Sequence, residues 1–190
     1  MRRADFTAKF MGIPGAPLRG FFFRAVPLAY IATPLSALGS LSGGRYNAAA
    51  TFAIYYVTEK PDVTLYEIRI IETALPPHPI RPTILFTVEA NLQHVVDLTD
   101  ASIGAALGVT TADLLINWKE ELLARNAPIT QDVGAAAREA EIEALIVPSA
   151  RVAGAKNLAI IVDRLRLGSW IKIDPGDGFT DDAVLITGTR

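Results

Sequence analysis

The sequence predicts an α+β fold: a small twisted, partly antiparallel sheet with flanking helices. Three observations carry this. Short apolar runs rich in aromatic and β-branched residues recur between turn-forming segments, at Phe21–Val26, Phe52–Val57, Thr83–Val88, Gln93–Leu98 and Leu158–Val162. Between the last two the period changes, because Leu114, Leu115, Trp118, Leu122 and Leu123 fall on one helical face. Finally, 190 residues with 51% hydrophobic content suffice for one sizeable core rather than two.

Residues 1–20, rich in Gly and Pro, read as an irregular N-terminal arm, and 21–190 as a single domain. Phe21–Val26 is a first strand carrying Arg24, followed by a Pro- and Ser-rich loop to Gly44. Phe52–Val57 is apolar throughout and reads as a fully buried strand. Pro61-Asp62 opens a short helix through Tyr66, after which Ile68–Ile71 read as extended. Thr83–Val88 and Gln93–Leu98 resemble a hairpin turning at Ala90-Asn91. Thr110 to Asn126 is a helix, with Thr110 and Asp113 spaced as a capping box, Trp118 as a core anchor and Pro128 beyond the end. Thr130 caps a second helix, Gln131–Leu145, with a small-residue contact face and an outer face of Arg138, Glu139, Glu141 and Glu143. Ile146-Val147 return to extended structure, Asp174–Gly178 is a turn cluster, and Ala183–Ile186 is a last strand.

Composition removes several classes of function. Lys and Arg number 18 against 20 Asp and Glu, a net charge of −2, so no bulk positive field draws the chain to nucleic acid or a membrane surface. There is no cysteine, which excludes a disulfide framework, a thiolate nucleophile and a cysteine zinc site, and suits a reducing cytoplasm. His78, a loop residue between prolines, and His94 lie in no ligand-like spacing, so no metal is expected. Asp5, Lys9 and four prolines (Pro14, Pro17, Pro27, Pro34) interrupt the N-terminal region, which therefore reads as no signal peptide. Mean hydropathy is high at +0.31, but no apolar stretch approaches the roughly 18 to 20 residues of a membrane span. The surplus apolar content points to the core or to a partner interface, a homo-oligomer included. Glu59 with Asp62, the glutamates near 140 and Asp181-Asp182 read as solvated charge.

The polar residues inside apolar context are more informative. In Ser42-Gly43-Gly44-Arg45-Tyr46-Asn47, two glycines permit close backbone approach and positive φ, and the guanidinium suits paired phosphate oxygens. The segment reads either as a wall for an anionic, planar ligand such as a nucleotide or as a tight turn with a surface arginine. Arg24 sits inside an apolar strand, Glu67 follows Leu65-Tyr66, and Ser149 follows Ile146-Val147-Pro148. Ionised groups are seldom buried alone, so Arg24 and Glu67 either pair internally, face outward by alternation, or converge on a pocket beside Arg45.

In this order, Arg24, Gly43-Gly44-Arg45-Tyr46-Asn47, Tyr55-Tyr56-Val57-Thr58, Glu67, a tryptophan helix, Pro148-Ser149-Ala150-Arg151 and Asn157 resemble the RES domain family, named for its Arg, Glu and Ser. The resemblance runs from about Phe21 to Val162. It implies a fold related to ADP-ribosyltransferases and a bacterial, NAD-consuming toxin of a toxin–antitoxin module. Its partner would be an antitoxin with a helix-turn-helix domain that occludes the active site. NAD is then the substrate, cleaved at the nicotinamide–ribose bond by phosphorolysis or hydrolysis. ADP-ribosyl transfer to a protein, or a non-catalytic binding module on the same fold, are the alternatives.

Carried over by position, Arg24 matches the family's first arginine, Arg45 the arginine of the glycine segment, Glu67 its glutamate and Ser149 its serine. Tyr55 or Tyr56 matches the following aromatic. The chain departs from the pattern at Tyr46, where tryptophan is usual, at Ala48-Ala49-Ala50 and at Val162-Asp163. The resemblance thus implies Glu67 and Arg24 as catalytic, and Arg45, Tyr46, Tyr55, Tyr56 and Ser149 as NAD-binding. The roles follow chemically. Bond cleavage builds positive charge on the ribose, which Glu67 would stabilise. The arginines suit the pyrophosphate, a tyrosine ring the nicotinamide, and Ser149 a carboxamide or ribose hydroxyl.

Overall fold

A computed structural model describes residues 3–73, 81–173 and 185–189. Its strands are β1 (Ala16–Pro27), β2 (Ile54–Thr58), β3 (Thr83–Asp97), β4 (Ala144–Pro148), β5 (Lys156–Ile161), β6 (Trp170–Ile173) and β7 (Leu185–Thr187). The helices are α1 (Arg3–Met11), α2 (Pro61–Thr73), α3 (Ala101–Leu107), α4 (Thr111–Leu115), α5 (Trp118–Leu123) and α6 (Ile129–Glu139).

Successive residues of the apolar runs divide between two cores, as the two-residue period of a pleated strand requires. Tyr55 and Val57 of β2, Ala144 of β4, and Leu158 and Ile160 of β5 join Phe22 and Val26 of β1 and Phe86, Val88 and Leu92 of β3. Side chains converging from five strands in this way fill the interior of a barrel. Their neighbours, Ile54, Leu145, Val147, Ala159 and Ile161, face outward and bury Phe6 and Phe10 of α1, Leu107 of α3 and Val133, Ala136 and Ala137 of α6.

The sheet order is β1-β2-β5-β4-β3-β6-β7 with β3 returning to β1, so the first five strands close on themselves. This corrects the expectation of an open twisted sheet. Closure follows from the length of β3, 15 residues, which the hairpin expectation had cut in two at Ala90-Asn91. Those residues hold extended pairing on both edges: Ala90 and Asn91 face Gly20 and Arg19 of β1 on one side, and Ile171 and Trp170 of β6 on the other. With no glycine or proline at the bend point, nothing favours a turn there over two ladders. One edge of β3 is therefore free along its length for β1, while the other takes β6 and, in parallel, β4.

Local interactions outweigh sequence propensity at several other places. The supposed irregular arm is helical at Arg3–Met11, where Phe6 and Phe10, one turn apart, are both buried, and β1 already begins at Ala16. Helix α2 does not stop at Tyr66 but runs through Ile68–Ile71 to Thr73, because Val63 and Thr64 bury one face against β1 and β2. The helix expected over 110–126 is two short ones. Its capping box at Thr110 and Asp113 is present, but Ile116 and Asn117 are non-helical. The Thr130 cap is also absent: α6 starts after Pro128, and the buried Thr130 hydroxyl has no hydrogen-bond partner. That helix ends at Glu139, Glu141 takes φ +58°, and residues 144–148 are strand rather than helix. His78 and the Asp174–Gly178 turn lie outside the described residues, as does part of the last predicted strand, which is seen at Leu185–Thr187.

Candidate active site

The barrel has one weak seam, and the candidate site lies along it. Strands β1 and β2 register at a single pair, Phe23 opposite Thr58. Arg24 fills the gap that remains. Its Nη1 donates to the Tyr56 carbonyl of β2 at 3.1 Å, its Nη2 to the Ser36 carbonyl at 3.3 Å, and its guanidinium stacks 4.1 Å from the Tyr55 ring. No carboxylate among the described residues pairs with it. Burial accordingly pulls the guanidinium below its ordinary value, opposed by Tyr55.

Above the seam opens a cleft of about 330 Å³, lined by Arg24, Ser40, Gly43, Gly44, Tyr56, Thr58, Thr64, Glu67 and Asn157 among others. The glycine turn is built for this approach. Gly43 holds φ +101°, and a Cβ on Gly44 would stand 2.6 Å from Asn47 Oδ1 and 3.1 Å from the Tyr56 hydroxyl. Asn47, fully buried, ties the turn down by donating to the Ser40 and Phe52 carbonyls at 2.6 and 3.0 Å. A second cleft of about 340 Å³ is lined by Arg45, Tyr46, Tyr56, Glu67, Trp118, Lys119, Arg151 and Asn157 among others. Tyr56, Glu67 and Asn157 line both. Glu67 thus stands on a ridge, with Arg24 in one chamber and Arg45 in the other.

Helix α2 brings Glu67 there one turn after the buried Val63 and Thr64. Ser149 Oγ donates to Glu67 Oε1 at 2.6 Å, and Asn157 Nδ2 donates to the same oxygen at 3.1 Å. Ser149 in turn accepts from the N–H groups of Arg151 and Val152 at 3.2 and 3.1 Å. Both protein donors therefore address Oε1.

Arg45 differs from expectation in what it holds. Its Nη1 donates to the Leu114 and Ile116 carbonyls at 3.1 and 2.6 Å. Those carbonyls would otherwise continue the α4 ladder, so this arginine is the physical reason the 110–126 helix breaks. The break turns Trp118 away from the core: it is half-buried and lines the second cleft, correcting its reading as a core anchor. Burial lowers the Arg45 guanidinium, Arg151 adds to that, and Tyr46, Tyr56 and Glu67 oppose it.

The tyrosines separate by pleat. Tyr56 points outward to the clefts, its hydroxyl accepting from Tyr46 N–H at 3.2 Å and donating to Asn47 Oδ1 at 3.4 Å. Tyr55 points into the barrel, fully buried, donating to the Pro34 carbonyl at 3.3 Å and lining neither cleft, which corrects its assignment as a ligand-stacking ring. Tyr46 borders the second cleft but is 1% exposed, packed in the helix-side core. Asn157, Trp118, Lys119 and Arg151 line the clefts without having been predicted as site residues. Asn157 and Arg151 lay within the recognised motifs; nothing in the pattern around Lys119 signals its place. Among the described residues, no group of three or more His, Asp or Glu stands together as a metal would need.

The profile of the RES domain matches residues 21–172. The chain belongs to the RES domain family. Within it, this RES protein is 28% identical over 167 residues to a probable NAD(+) phosphorylase of Mycobacterium tuberculosis, covering 87% of the present chain and 74% of the relative. Its fold matches the crystal structure of the M. tuberculosis MbcT–MbcA toxin–antitoxin complex with a TM-score of 0.70 and 20% identity, over 90% of this chain and 89% of the other. Within that matched range, Arg24, Glu67 and the Ser149 bonded to it stand around one pair of joined clefts.

Proposed function

We propose that this RES protein is an NAD-degrading enzyme, the toxic member of a toxin–antitoxin module, cleaving the nicotinamide–ribose bond with phosphate as acceptor. The observation that carries the reading is the ridge itself: a carboxylate oriented by two donors on one oxygen, between two arginines that have no acidic partner among the described residues. Half-buried cations without a salt-bridge partner are favourable sites for an anion, and a dinucleotide brings two phosphates. The family and the phosphorylase relative support NAD as that ligand.

In this reading Glu67 offers its other oxygen, Oε2, to the ribose, where positive charge develops as the bond to nicotinamide lengthens. Arg24 and Arg45 hold the phosphates from either side of the ridge. Tyr56, lining both chambers, supplies the aromatic wall. Ser149 and Asn157 act through Glu67 and are positioning residues. The likeness to a toxin–antitoxin complex supports an antitoxin as partner. Leu65 and Tyr66, each 50% exposed on α2 beside Glu67, offer it apolar surface. No described helix is long and apolar enough to cross a membrane, and a cytoplasmic location is where NAD would be met.

The test is incubation of the partner-free protein with NAD, with and without inorganic phosphate, and identification of products by mass. Phosphate-dependent release of nicotinamide with a phosphate ester of ADP-ribose is expected. Unchanged NAD over hours overturns the reading, and ADP-ribose attached to protein replaces the acceptor by a protein side chain.

A further inference from the structure

The second cleft carries more positive charge than the dinucleotide reading uses. Arg45, Lys119 and Arg151 line it against the single carboxylate of Glu67. None of the three cations has a carboxylate partner among the described residues. Arg151 and Arg45 are close enough that the first depresses the second's affinity for its proton. Like charges held together in this way cost free energy until an anion enters between them. The first chamber is different in kind: apart from Arg24 and Glu67 its lining is glycine, hydroxyl, amide and apolar side chains, such as Ser40, Thr58, Thr64, Ile54 and Ile68.

Two of these cations are held by local structure rather than by chance of sequence. Arg151 sits in the turn that Ser149 caps through the Arg151 and Val152 N–H groups, the same serine that donates to Glu67. Lys119 follows Trp118 at the start of α5, its ammonium 5.6 Å from that ring, and α5 is set where it is by the grip of Arg45 on the Leu114 and Ile116 carbonyls. Glycine turn, serine turn and broken helix thus each deliver one cation to the same chamber, facing the ridge where the ribose carbon would react.

We propose, resting on the function given above, that Lys119 and Arg151 form the acceptor site for inorganic phosphate and decide phosphorolysis over hydrolysis. The balance is simple. An oxygen of the phosphate dianion forms a bond to the anomeric carbon as the bond from that carbon to the nicotinamide nitrogen breaks. The electron pair of the broken bond goes to nitrogen, which loses its positive charge. The products are neutral nicotinamide and an anomeric phosphate ester of ADP-ribose, and no proton has to move. Water as acceptor must give up a proton to a base, whereas the dianion needs only to be held and aimed, which two cations accomplish.

The experiment uses the whole chain in two arms. Phosphorus NMR titration with inorganic phosphate alone reads binding without turnover. Steady-state kinetics with NAD and phosphate varied separately reads KM for each and the ratio of phosphate ester to ADP-ribose. For Lys119→Ala with Arg151→Ala, phosphate binding and phosphate KM should weaken by about tenfold or more. The product share should move toward ADP-ribose, with KM for NAD changed by less than about twofold; Arg151→Lys should restore part of the phosphate affinity. A rise in NAD KM with phosphate KM unmoved overturns the proposal and assigns these cations to the dinucleotide's own pyrophosphate; no change in either also overturns it. A wild-type protein that consumes no NAD yet binds phosphate through these side chains would refute the enzymatic reading and leave the anion site standing.

Discussion

Ser149 gives its hydroxyl proton to Glu67 Oε1 at 2.6 Å because both backbone N–H groups that follow it, on Arg151 and Val152, already occupy its lone pairs. The direction of this bond is therefore fixed by a turn and not by the ligand. Removing the hydroxyl leaves Glu67 with Asn157 alone and frees the turn that carries Arg151. Ser149→Ala should lower kcat for NAD loss by about 10- to 100-fold, and Glu67→Gln by about 1,000-fold, with Ser149→Thr closer to wild type. Steady-state assays of NAD consumption check this, and a Ser149→Ala protein with wild-type kcat would remove the serine from the mechanism.

Arg24 closes the seam between β1 and β2 with two hydrogen bonds to carbonyls and a stacked ring. A lysine keeps the charge but loses the planar fork and the stacking, so Arg24→Lys is not conservative here. Losing either carbonyl contact costs about 1 kcal/mol of stability, and substrate phosphate contacts are lost besides. The expected outcome is a lowered thermal midpoint together with a raised KM for NAD. A variant with an unchanged midpoint would show that the seam does not depend on this guanidinium.

How much of this was legible in the sequence depends on the range of the interaction involved. The order of Arg24, Gly43-Gly44-Arg45, Glu67 and Ser149 was readable because each residue sits conspicuously in apolar or glycine context. Their division between two chambers was not, since it depends on Arg45 capturing carbonyls 69 and 71 residues away. The same capture concealed the break at Ile116, where the shared helical face of Leu114, Leu115, Trp118, Leu122 and Leu123 argues for one helix. Alternation along β2 holds the answer to Tyr55 against Tyr56, but only once the partner strands show which face is interior. Barrel closure likewise rests on pairing between β1 and β3, whose partners lie 56 to 79 residues apart, and no local pattern announces it. Tyr46 shows the converse: conspicuous beside Arg45 in the sequence, its ring is packed against the helices, and its buried hydroxyl has no hydrogen-bond partner there.

Two fully buried tyrosines, Tyr46 and Tyr55, and the partly buried Tyr56 set an alkaline limit on the fold. Burial holds the Tyr55 phenol up to about 12, against an ordinary value of 10.0, with Arg24 opposing. Burial raises Tyr46 and Tyr56 further still. A raised native value means that the folded state favours the neutral phenol. This contribution is fully present below the unfolded chain's ordinary value and is lost as pH rises from there through the native one. Stability to denaturant should thus fall between pH 10 and about 12. The tyrosinate absorbance of these three residues should appear with unfolding, in one cooperative step. Gradual ionisation with the fold intact would contradict their burial.

Glu143 supplies the last test, and it is one of stability rather than catalysis. Its side chain is fully buried and lines neither cleft. Oε2 accepts from the N–H groups of Gln93 and His94, each at 2.6 Å, and Oε1 accepts from Arg166 N–H at 2.7 Å. A single carboxylate therefore joins the far end of β3 to the turn before β6, where the regular ladder is interrupted. Glutamine can reproduce only one of the two acceptor oxygens and turns an amide donor against a backbone donor, leaving at least one buried N–H unpaired. The expected cost of Glu143→Gln is about 2 to 4 kcal/mol, because buried groups bonded to a charged acceptor lose more than neutral pairs do. At this chain length that corresponds to a fall of roughly 5 to 15 °C in Tm. NAD turnover per folded molecule should stay at the wild-type value, since the clefts are built from other residues. A midpoint within about 1 °C of wild type would show that water replaces the carboxylate without loss.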